Sequence, residues 1–412
     1  MAKIKTFSCI RPQKGLENRI AALPYDVYNR SEASIQVEKE PMSFLKIDRA
    51  ETQFDESVDI HAPEVYEKAK QLLWDMVDNG AFVQEEQPGF YLYELTMAGR
   101  TQTGLVACAS IDDYINDVVK KHENTRADKE ADRICHVDIC NAQTGPILMA
   151  YRKNEWLQEL IAAVKKEQPL FSFVSEDGIR HQGWSILEAE KAETIEQIFR
   201  DINEIYIADG HHRAASAVAV GKKRRAEQPG YTGKEAFNYF LSVLFPDDEL
   251  CIMDYNRIVK DIGDFTEAEF LEKVKEKFQV ETQAAAYHPE KKGMIGMYLK
   301  DQWYSLEIKP EFINDDPVAG LDVSILQTEL LEPVLCLRDI KTDPRIDFVG
   351  GIRGLEELER RVHTDAAVAF AMYPTSIKEL FDVADANRLM PPKSTWFEPK
   401  LRSGLFIHPL NG

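Results

Sequence analysis

The sequence has few cysteines, no long apolar run and no excess of basic residues, and each shortage excludes a class of protein. Its cysteines are scattered along 412 residues without close pairs, so neither a zinc ribbon nor a disulfide framework is predicted. They are Cys9, Cys108, Cys135, Cys140, Cys251 and Cys336. We expect them to be buried free thiols.

No segment approaches the apolar length that a membrane span requires. The first residues, Met1 to Thr6, also lack the long apolar stretch of a signal peptide. We therefore expect a cytoplasmic protein.

Acidic residues outnumber basic ones by seventy to fifty, which gives a net charge of −20. This charge works against unspecific attraction to nucleic acid and to anionic lipid, although a local basic pocket remains compatible with it. We therefore expect a small-molecule ligand rather than a nucleic acid or a membrane. A homodimer is the expected assembly if residues 246–335 are a dimerising region rather than a scaffold.

An apolar share of 44% over this length is enough for a large core. Strand-like and helix-like segments follow one another, which predicts an α+β fold with mixed sheets. We expect a main region over residues 1–245, a scaffold or dimerising region over 246–335, and a C-terminal segment, 336–412, that returns to the main region.

Several elements follow from local patterns. Two hairpins are predicted, one over residues 90–107 and one over 171–186, where an Asp-Gly pair marks the second turn. Helices are predicted from Pro63 to Asn79 and from Leu187 to Asn203, and the apolar run from Ser43 to Ile47 is predicted as a strand.

The stretch from Asn203 to Arg213 has the pattern of a strand, a tight turn and a helix. Ile205 to Ile207 form a short apolar run, and an alanine-rich segment follows Arg213. Asp209 and Gly210 have the chemistry of a turn. Three basic or aromatic donors, His211, His212 and Arg213, would then stand at a helix N-terminus, where anions bind. This is the strongest candidate site in the sequence.

A second basic segment runs from Lys120 to Arg133. On one continuous helix, His122, Arg126, Lys129 and Arg133 share a face. This face is either a solvated surface with ion pairs or a phosphate-binding stripe. Because Asn124 and Thr125 are poor residues for a helix interior, a loop followed by a new helix capped at Thr125 is the other interpretation.

Two further segments contain candidate binding residues. Near the C-terminus, Lys393, Ser394, Thr395 and Lys400 combine cations with hydroxyl groups, but prolines stand where a P-loop has glycines. This segment is either a basic hairpin or part of a pocket. Close to the N-terminus, Pro24-Tyr25-Asp26 is either a simple turn or a substrate contact.

Five motifs in order resemble the bacterial DUF1015 family over nearly the whole chain. These motifs are Leu23-Pro24-Tyr25-Asp26-Val27, Lys121-His122-Glu123-Asn124-Thr125-Arg126, Thr144-Gly145-Pro146, Ala208-Asp209-Gly210-His211-His212-Arg213 and Met390-Pro391-Pro392-Lys393-Ser394-Thr395. The family is poorly characterised, so the resemblance implies little about function.

The Asp209-Gly210-His211-His212-Arg213 motif also resembles the phosphate-binding motif of the ParB/sulfiredoxin superfamily. Sulfiredoxins have a catalytic cysteine where this chain has His211, so the resemblance does not extend to sulfinic-acid repair. The Asp-Gly-His-Thr-Arg motif of free-serine kinases is closer and differs by His212. The resemblance implies a strand-turn-helix phosphate site and a role in serine metabolism.

These observations lead to a hypothesis of phosphoryl transfer from ATP or ADP, with Mg²⁺, to a small hydroxylated metabolite such as free serine. The candidate catalytic residues are Asp209, His211, His212 and Glu123, with Glu123 or Asp209 as the base or as a ligand of Mg²⁺. The candidate phosphate or nucleotide ligands are Gly210, Arg213, His122, Arg126, Lys129, Arg133, Lys393, Ser394, Thr395 and Lys400. The candidate substrate contacts are Tyr25 and Asp26.

Two other functions remain open at the level of sequence. The partition-protein resemblance implies a nucleotide-responsive binding protein without transfer. A metal hydrolase using His122, His211 and His212 is disfavoured, because adjacent histidines are awkward joint ligands and no His-x-x-x-His motif is present. No metal site is predicted from protein ligands alone.

Overall fold

The apolar runs of the sequence form two separate large sheets in the computed structural model, which describes residues 1–411. The chain divides accordingly into two units. The first contains Met1–Lys120, Asn124–Leu250 and the segment from Pro399 onwards, and the second contains Lys121–Glu123 and Cys251–Glu398. By these contacts, residues 336–398 belong to the second unit.

The strands are β1 (Ile4–Lys5), β2 (Ile10–Pro12), β3 (Phe82–Gln84), β4 (Phe90–Met97), β5 (Arg100–Ser110), β6 (Val119–Lys120), β7 (Ala142–Gln143), β8 (Ile147–Tyr151), β9 (Phe171–Val174), β10 (Arg180–Ile186), β11 (Ile205–Asp209), β12 (Tyr239–Pro246), β13 (Ile252–Met253), β14 (Tyr255–Val259), β15 (Phe278–Gln283), β16 (Met294–Leu299), β17 (Gln302–Ile308), β18 (Ile346–Gly350), β19 (Val368–Ala371), β20 (Trp396–Phe397) and β21 (His408–Pro409).

The α-helices are α1 (Glu17–Ile20), α2 (Arg30–Lys39), α3 (Leu45–Asp48), α4 (Pro63–Asp78), α5 (Ile111–Ile115), α6 (Ala127–Cys140), α7 (Glu155–Val164), α8 (Ala189–Asp201), α9 (His211–Glu227), α10 (Glu267–Lys277), α11 (Asp322–Leu326), α12 (Glu332–Leu335), α13 (Gly354–Thr364) and α14 (Ile377–Asp385). Within residues 1–411, no helix combines the length and the apolar character needed to cross a membrane.

The first unit is built on a nine-stranded mixed sheet. Its spatial order is β6-β11-β8-β12-β5-β4-β10-β9, and β1 pairs with β5. The β6–β11 and β8–β12 pairs are parallel, and the other pairs are antiparallel. Helices α7, α8 and α9 pack apolar side chains onto this sheet, including Leu157, Phe199 and Ala214, which are fully buried. This packing fixes the end of β11 from which the candidate turn starts.

The second unit contains a six-stranded antiparallel sheet in the order β15-β17-β16-β19-β14-β18. Helix α13 packs Leu358 against Ile258 and Ala369 of this sheet. Together with the first sheet, it confirms the predicted α+β class with mixed sheets.

The predictions that came from local patterns are mostly confirmed. Both hairpins are present, as the β4–β5 and β9–β10 pairs, and the predicted helices are α4 and α8. The six cysteines are free, but Cys135 and Cys336 are exposed and Cys251 is half-buried, so the expectation of burial is confirmed only for Cys9, Cys108 and Cys140.

The strand predicted from Ser43 to Ile47 was wrong, because this segment leads into helix α3. Phe44, Leu45 and Ile47 are all buried in one cluster with Leu73 of α4. A strand would turn alternate side chains to opposite faces, whereas a helical turn places these residues against the same neighbours. Tertiary packing therefore overrides the β propensity of the apolar run.

Helices α6 and α9 pack side by side in the first unit and are joined by a polar network. Arg224 donates through Nε and Nη2 to Asp138 Oδ1 at 3.3 and 3.2 Å, and through Nη1 to Asn141 Oδ1 at 2.6 Å. Lys223 pairs with Asp138 at 2.6 Å. Burial alone would raise the pKa of Asp138, but the bonds to Lys223 and Arg224 outweigh it and lower this pKa.

We predict that Arg224→Ala lowers the free energy of unfolding by about 1–2 kcal/mol at pH 7, because a multidentate, largely buried charge-assisted network is lost. The folded pKa of Asp138 lies below its unfolded value, so its stabilisation is complete above pH ~4 and is lost as pH falls through the folded pKa. The difference in free energy of unfolding between the wild-type chain and Arg224→Ala, measured by urea unfolding, should therefore narrow below pH ~4. Lys222→Ala, an exposed change on the same helix, is the control.

Candidate functional site

The predicted strand, turn and helix are present at Asp209 to Arg213. Strand β11 ends at Asp209, Gly210 is the N-cap with φ 97° and ψ 31°, and α9 begins at His211. The β8–β11 register shifts between Ile207 and Asp209, which is a bulge just before the turn. Bulges re-aim side chains at the end of a strand. The local geometry thus turns the chain sharply from the sheet into the first turn of α9.

Gly210 is required here for two reasons. Its left-handed conformation is one that side-chain-bearing residues rarely adopt. A Cβ atom at this position would also lie 3.0 Å from Arg213 Nε and 3.1 Å from Arg213 Cζ. The guanidinium of Arg213 therefore lies directly over the backbone of the turn.

Arg213 is held in this position by the Thr144-Gly145-Pro146 loop. Its Nη1 donates to the carbonyl oxygen of Pro146 at 2.5 Å. A Cβ atom on Gly145 would be 3.5 Å from the same Nη1. Two glycine backbones thus flank one guanidinium, and this loop is in contact with the Asp-Gly-His-His-Arg motif.

A second cation reaches the turn from the C-terminal segment. Lys400 Nζ lies 3.1 Å from Asp209 Oδ2, and the two side chains are 18% and 37% exposed. Burial would raise the pKa of Asp209, but Lys400 and Arg213 hold it well below its usual range. Asp209 is therefore a fixed carboxylate that orients Lys400 beside the turn.

The two histidines of the motif have different environments. The His211 side chain is buried, whereas His212 is half-buried. The Arg126 backbone N–H points at His212 Nδ1 at 3.4 Å. Burial lowers the pKa of His212, and Asp26 and Glu130 oppose this shift without overcoming it. The neutral ring of His212 is therefore favoured at neutral pH.

A cleft of about 460 Å³, counting its open mouth, lies beside Arg213 in the first unit. Its polar lining includes Tyr25, Asp48, Arg133, His136, Thr144, Arg213 and Ser403. Arg133 stacks over the Tyr25 ring with its Cζ 4.1 Å from the ring centroid. Burial raises the pKa of Tyr25, and the Arg133 charge opposes it. Two guanidinium groups thus line one cleft, which suits an anionic ligand.

Several lining residues were missed at the level of sequence. Asp48 Oδ1 accepts a hydrogen bond from Thr144 Oγ1 at 3.0 Å, and His136 Nε2 lies 3.1 Å from the carbonyl oxygen of Ile47. Ser403 is buried and pairs its backbone with Ala22. Only Thr144 had a signal, since it stands in one of the five family motifs.

Residues 122–133 do not form the continuous helix that one interpretation predicted. Helix α6 begins at Ala127 after Arg126, so His122 does not share its face. The alternative of a loop followed by a new helix is confirmed, except that Arg126 is the N-cap and Thr125 instead donates to Glu130 at 2.9 Å. Asn124 and Thr125 interrupt the helix, as their low helix propensity favours.

On α6, the three predicted cations differ in burial. Arg126 is exposed and pairs with Asp128 at 2.8 Å, and Lys129 is exposed. Only Arg133 is buried and enters the cleft. Of the two predicted substrate contacts, Tyr25 lines the cleft, whereas Asp26 is exposed on the 3₁₀ turn Tyr25–Val27.

The other predicted residues lie in the second unit. There the Met390 N–H donates to the carbonyl oxygen of His122 at 2.8 Å, which places His122 and Glu123 beside the Pro391–Thr395 motif. Ser394 is buried and donates to Pro391 O at 2.7 Å. Lys393, which is exposed, has φ 59°. The convergence of all three basic motifs in one pocket stays a prediction.

Across residues 1–411, no cluster of three or more histidine, cysteine, aspartate or glutamate side chains is arranged to hold a metal ion.

A family model described as a protein of unknown function, DUF1015, matches residues 4–324. The chain belongs to this family. No curated protein matches this DUF1015 sequence at a significant level.

Among solved structures, this DUF1015 chain is similar to C-terminally truncated SbnI from Staphylococcus aureus, with 12% identity, a TM-score of 0.39, and 74% and 87% of the two chains covered. It is also similar to a free serine kinase in complex with AMP, with 14% identity, a TM-score of 0.36, and coverage of 73% and 91%. A conserved hypothetical protein from Pyrococcus furiosus matches at 14% identity with a TM-score of 0.36, over 74% and 95%.

We predict that Gly210→Ala lowers the free energy of unfolding by about 1–2 kcal/mol, because alanine is strained at this positive φ. It should also weaken the binding of inorganic phosphate, since the new Cβ displaces Arg213. Chemical unfolding and calorimetry measure the two effects. Gly230→Ala is the control, because a Cβ at Gly230 meets nothing within 4 Å. Equal phosphate affinity in the two variants would contradict a role for this turn.

Proposed function

We propose that this chain is a nucleotide-dependent phosphotransferase that acts on a small hydroxylated metabolite, with free serine as the first acceptor to test. One observation carries the proposal. Arg213 and Lys400 both lie against the Asp209–Gly210 turn at the N-terminus of α9. Helix N-termini attract anions, and phosphoryl transfer depends mainly on positioning and on neutralising phosphate charge.

In this proposal the terminal phosphates of ATP or ADP lie at the first turn of α9. The first amides of a helix have no intrahelical acceptor, so those of His211, His212 and Arg213 are suited to phosphate oxygens. Arg213 and Lys400 supply positive charge from the sides. Arg133 extends this charge into the cleft, and the exposed Arg126 and Lys129 attract the nucleotide from solution.

Asp209 and Glu123 are the two bases predicted from the sequence. Asp209 is a poor base, because Lys400 and Arg213 hold its pKa low and its carboxylate already binds Lys400. Glu123, exposed in the second unit, stays a predicted base. His122, Lys393, Ser394 and Thr395 in that unit likewise keep their predicted roles as phosphate ligands, and Tyr25 and Asp26 keep theirs as substrate contacts.

Mg²⁺ fits the first unit's site poorly. This ion is usually bound through one or two carboxylates together with substrate phosphates. The carboxylate of the turn, Asp209, and the one that lines the cleft, Asp48, are already engaged, with Lys400 and Thr144 respectively. We therefore assign no step to Mg²⁺, and the cations Arg213 and Lys400 take the role of neutralising phosphate.

A nucleotide-responsive binding protein without transfer is the second candidate. The ion pair between Asp209 and Lys400 favours this candidate. Because of it, the carboxylate of the turn is not available as a base for phosphoryl transfer. Binding without chemistry requires only the turn, Arg213 and Lys400.

The test is to incubate the protein with ATP or ADP and serine, with and without Mg²⁺, and to detect phosphoserine by phosphorus NMR. Arg213→Ala should lower the rate by about 100-fold or more, as loss of a charge-stabilising donor does. Lys222→Ala, which removes an exposed cation from the same helix, should not change it. Arg213→Lys keeps the positive charge and is the second variant to measure if Arg213→Ala does not fold.

The outcomes separate the two candidates. Nucleotide binding by calorimetry without any phosphoserine would favour the binding protein. Absence of nucleotide binding in the wild-type chain would contradict both.

A further inference from the structure

A second cleft in the first unit adjoins the first one and has no role so far. It encloses about 430 Å³, counting its mouth, and shares Tyr25, Asp48, Arg133 and His136 with the first cleft. The stacked pair of Arg133 and Tyr25 therefore lies where the two clefts meet. A ligand in either cleft would contact Arg133.

The charges of the second cleft are balanced, unlike those at the turn. Three cations and three carboxylates line it: Arg49, Lys129, Arg133, Asp48, Glu51 and Asp132. Arg49 and Glu51 pair at 2.7 Å. A balanced lining has no strong preference for a polyanion, so it suits a neutral or zwitterionic molecule better than nucleotide phosphates.

His61 and Asp132 form a dyad that lines this cleft. His61 Nδ1 lies 3.2 Å from Asp132 Oδ1. Tyr66 Oη donates to the same carboxylate oxygen at 2.9 Å, and Arg133 donates to Asp132 Oδ2 through Nε and Nη2, both at 2.8 Å. The Asp132 side chain is only 11% exposed, whereas that of His61 is 51% exposed. Asp132 is thus fixed, and the imidazole next to it is accessible.

The carboxylate determines which nitrogen of His61 can act. Burial would raise the pKa of Asp132, but Arg133 and Tyr66 outweigh this and lower it, so Asp132 is ionised at neutral pH. An ionised carboxylate accepts a hydrogen bond from Nδ1–H, which leaves the lone pair on Nε2. A histidine oriented in this way by a buried carboxylate is the arrangement of a general base.

We propose that the second cleft binds the hydroxylated acceptor and that His61 is the catalytic residue that removes its proton, with Asp132 and Tyr66 as positioning residues. This inference rests on the proposed function. The acceptor oxygen forms a bond to the terminal phosphorus of the nucleotide as its O–H proton passes to His61 Nε2. The bond from phosphorus to the nucleotide's bridging oxygen breaks, and the shortened nucleotide leaves with that electron pair.

Kinetics of His61→Ala test the proposal. With ATP or ADP and serine, kcat should fall about 100-fold, as expected for loss of a general base. The affinity for nucleotide, measured by calorimetry, should stay within about twofold, because phosphate binding uses the α9 turn. Imidazole added to the solution should restore kcat by about tenfold, since truncation leaves an open space beside Asp132. Arg213→Ala should show no such restoration.

Two comparison variants sharpen the result. His363 is a matched histidine, because it is 53% exposed and lies 2.7 Å from Asp301 in the second unit, so His363→Ala should keep wild-type kcat. Glu123→Gln removes the base predicted from the sequence, so its kcat shows whether Glu123 rather than His61 takes the proton. A thermal melt of each variant shows that it is folded, which is expected for His61→Ala because half of this side chain is exposed.

Each outcome supports the proposal or overturns it. Wild-type kcat in His61→Ala would overturn the inference and leave the phosphotransferase standing, as would a loss confined to Glu123→Gln. A loss in His61→Ala that imidazole does not restore would also overturn the proton-transfer role. If the wild-type chain binds nucleotide but transfers nothing, the proposed function itself fails, and the inference fails with it.

Discussion

The position of the Arg213 guanidinium over Gly210 is the constraint on which the site depends. It requires a residue without a side chain at φ 97°, a close approach by Gly145 and a carbonyl acceptor from Pro146. These three conditions come from two distant segments that β8 and β11 bring together as neighbouring strands. The sheet therefore fixes the distance between two loops, and a shift of either loop would move Arg213 away from the amides of α9.

The C-terminal segment supplies the second half of the site, and its anchors explain how it stays in place. Lys400 binds Asp209, while Arg402, two residues later, is buried and bonded to Asp177 in the β9–β10 turn. The backbone of Ser403 pairs with Ala22, next to Pro24 and Tyr25 of the cleft. Lys400 and Arg402 thus anchor one short segment to the turn and to the hairpin. A cation about 190 residues away in sequence becomes part of the turn through this arrangement.

The sequence was sufficient where the determinants are local, and it failed where they are not. The hairpins, helix α4 and the turn at Gly210 follow from alternation, periodicity and turn chemistry within a few residues. The Ser43 to Ile47 segment was predicted as a strand because its apolar run has no local sign of the cluster it joins. Asp48, Ser403 and His61 stand in no distinctive motif and become site candidates only through contacts across the fold. Such contacts cannot be inferred from one sequence.

The cations of the candidate site are held by partners within the protein, so their side chains are ordered without a ligand. In an acidic protein, carboxylates are available to hold some of these cations. Lys400 is held by Asp209, Arg133 by Asp132, and Arg213 by the Pro146 carbonyl. When a ligand has to immobilise a long side chain, its binding is weakened by about 0.5–1.5 kcal/mol for each such side chain. Cations that are already fixed in the folded protein avoid this cost, so an anion binds to them more tightly than to mobile ones. A guanidinium has five donors, and Pro146 takes one of those of Arg213. Because the paired carboxylates reduce the net positive charge, the proposed site would discriminate by geometry and favour a compact phosphate over a long polyanion.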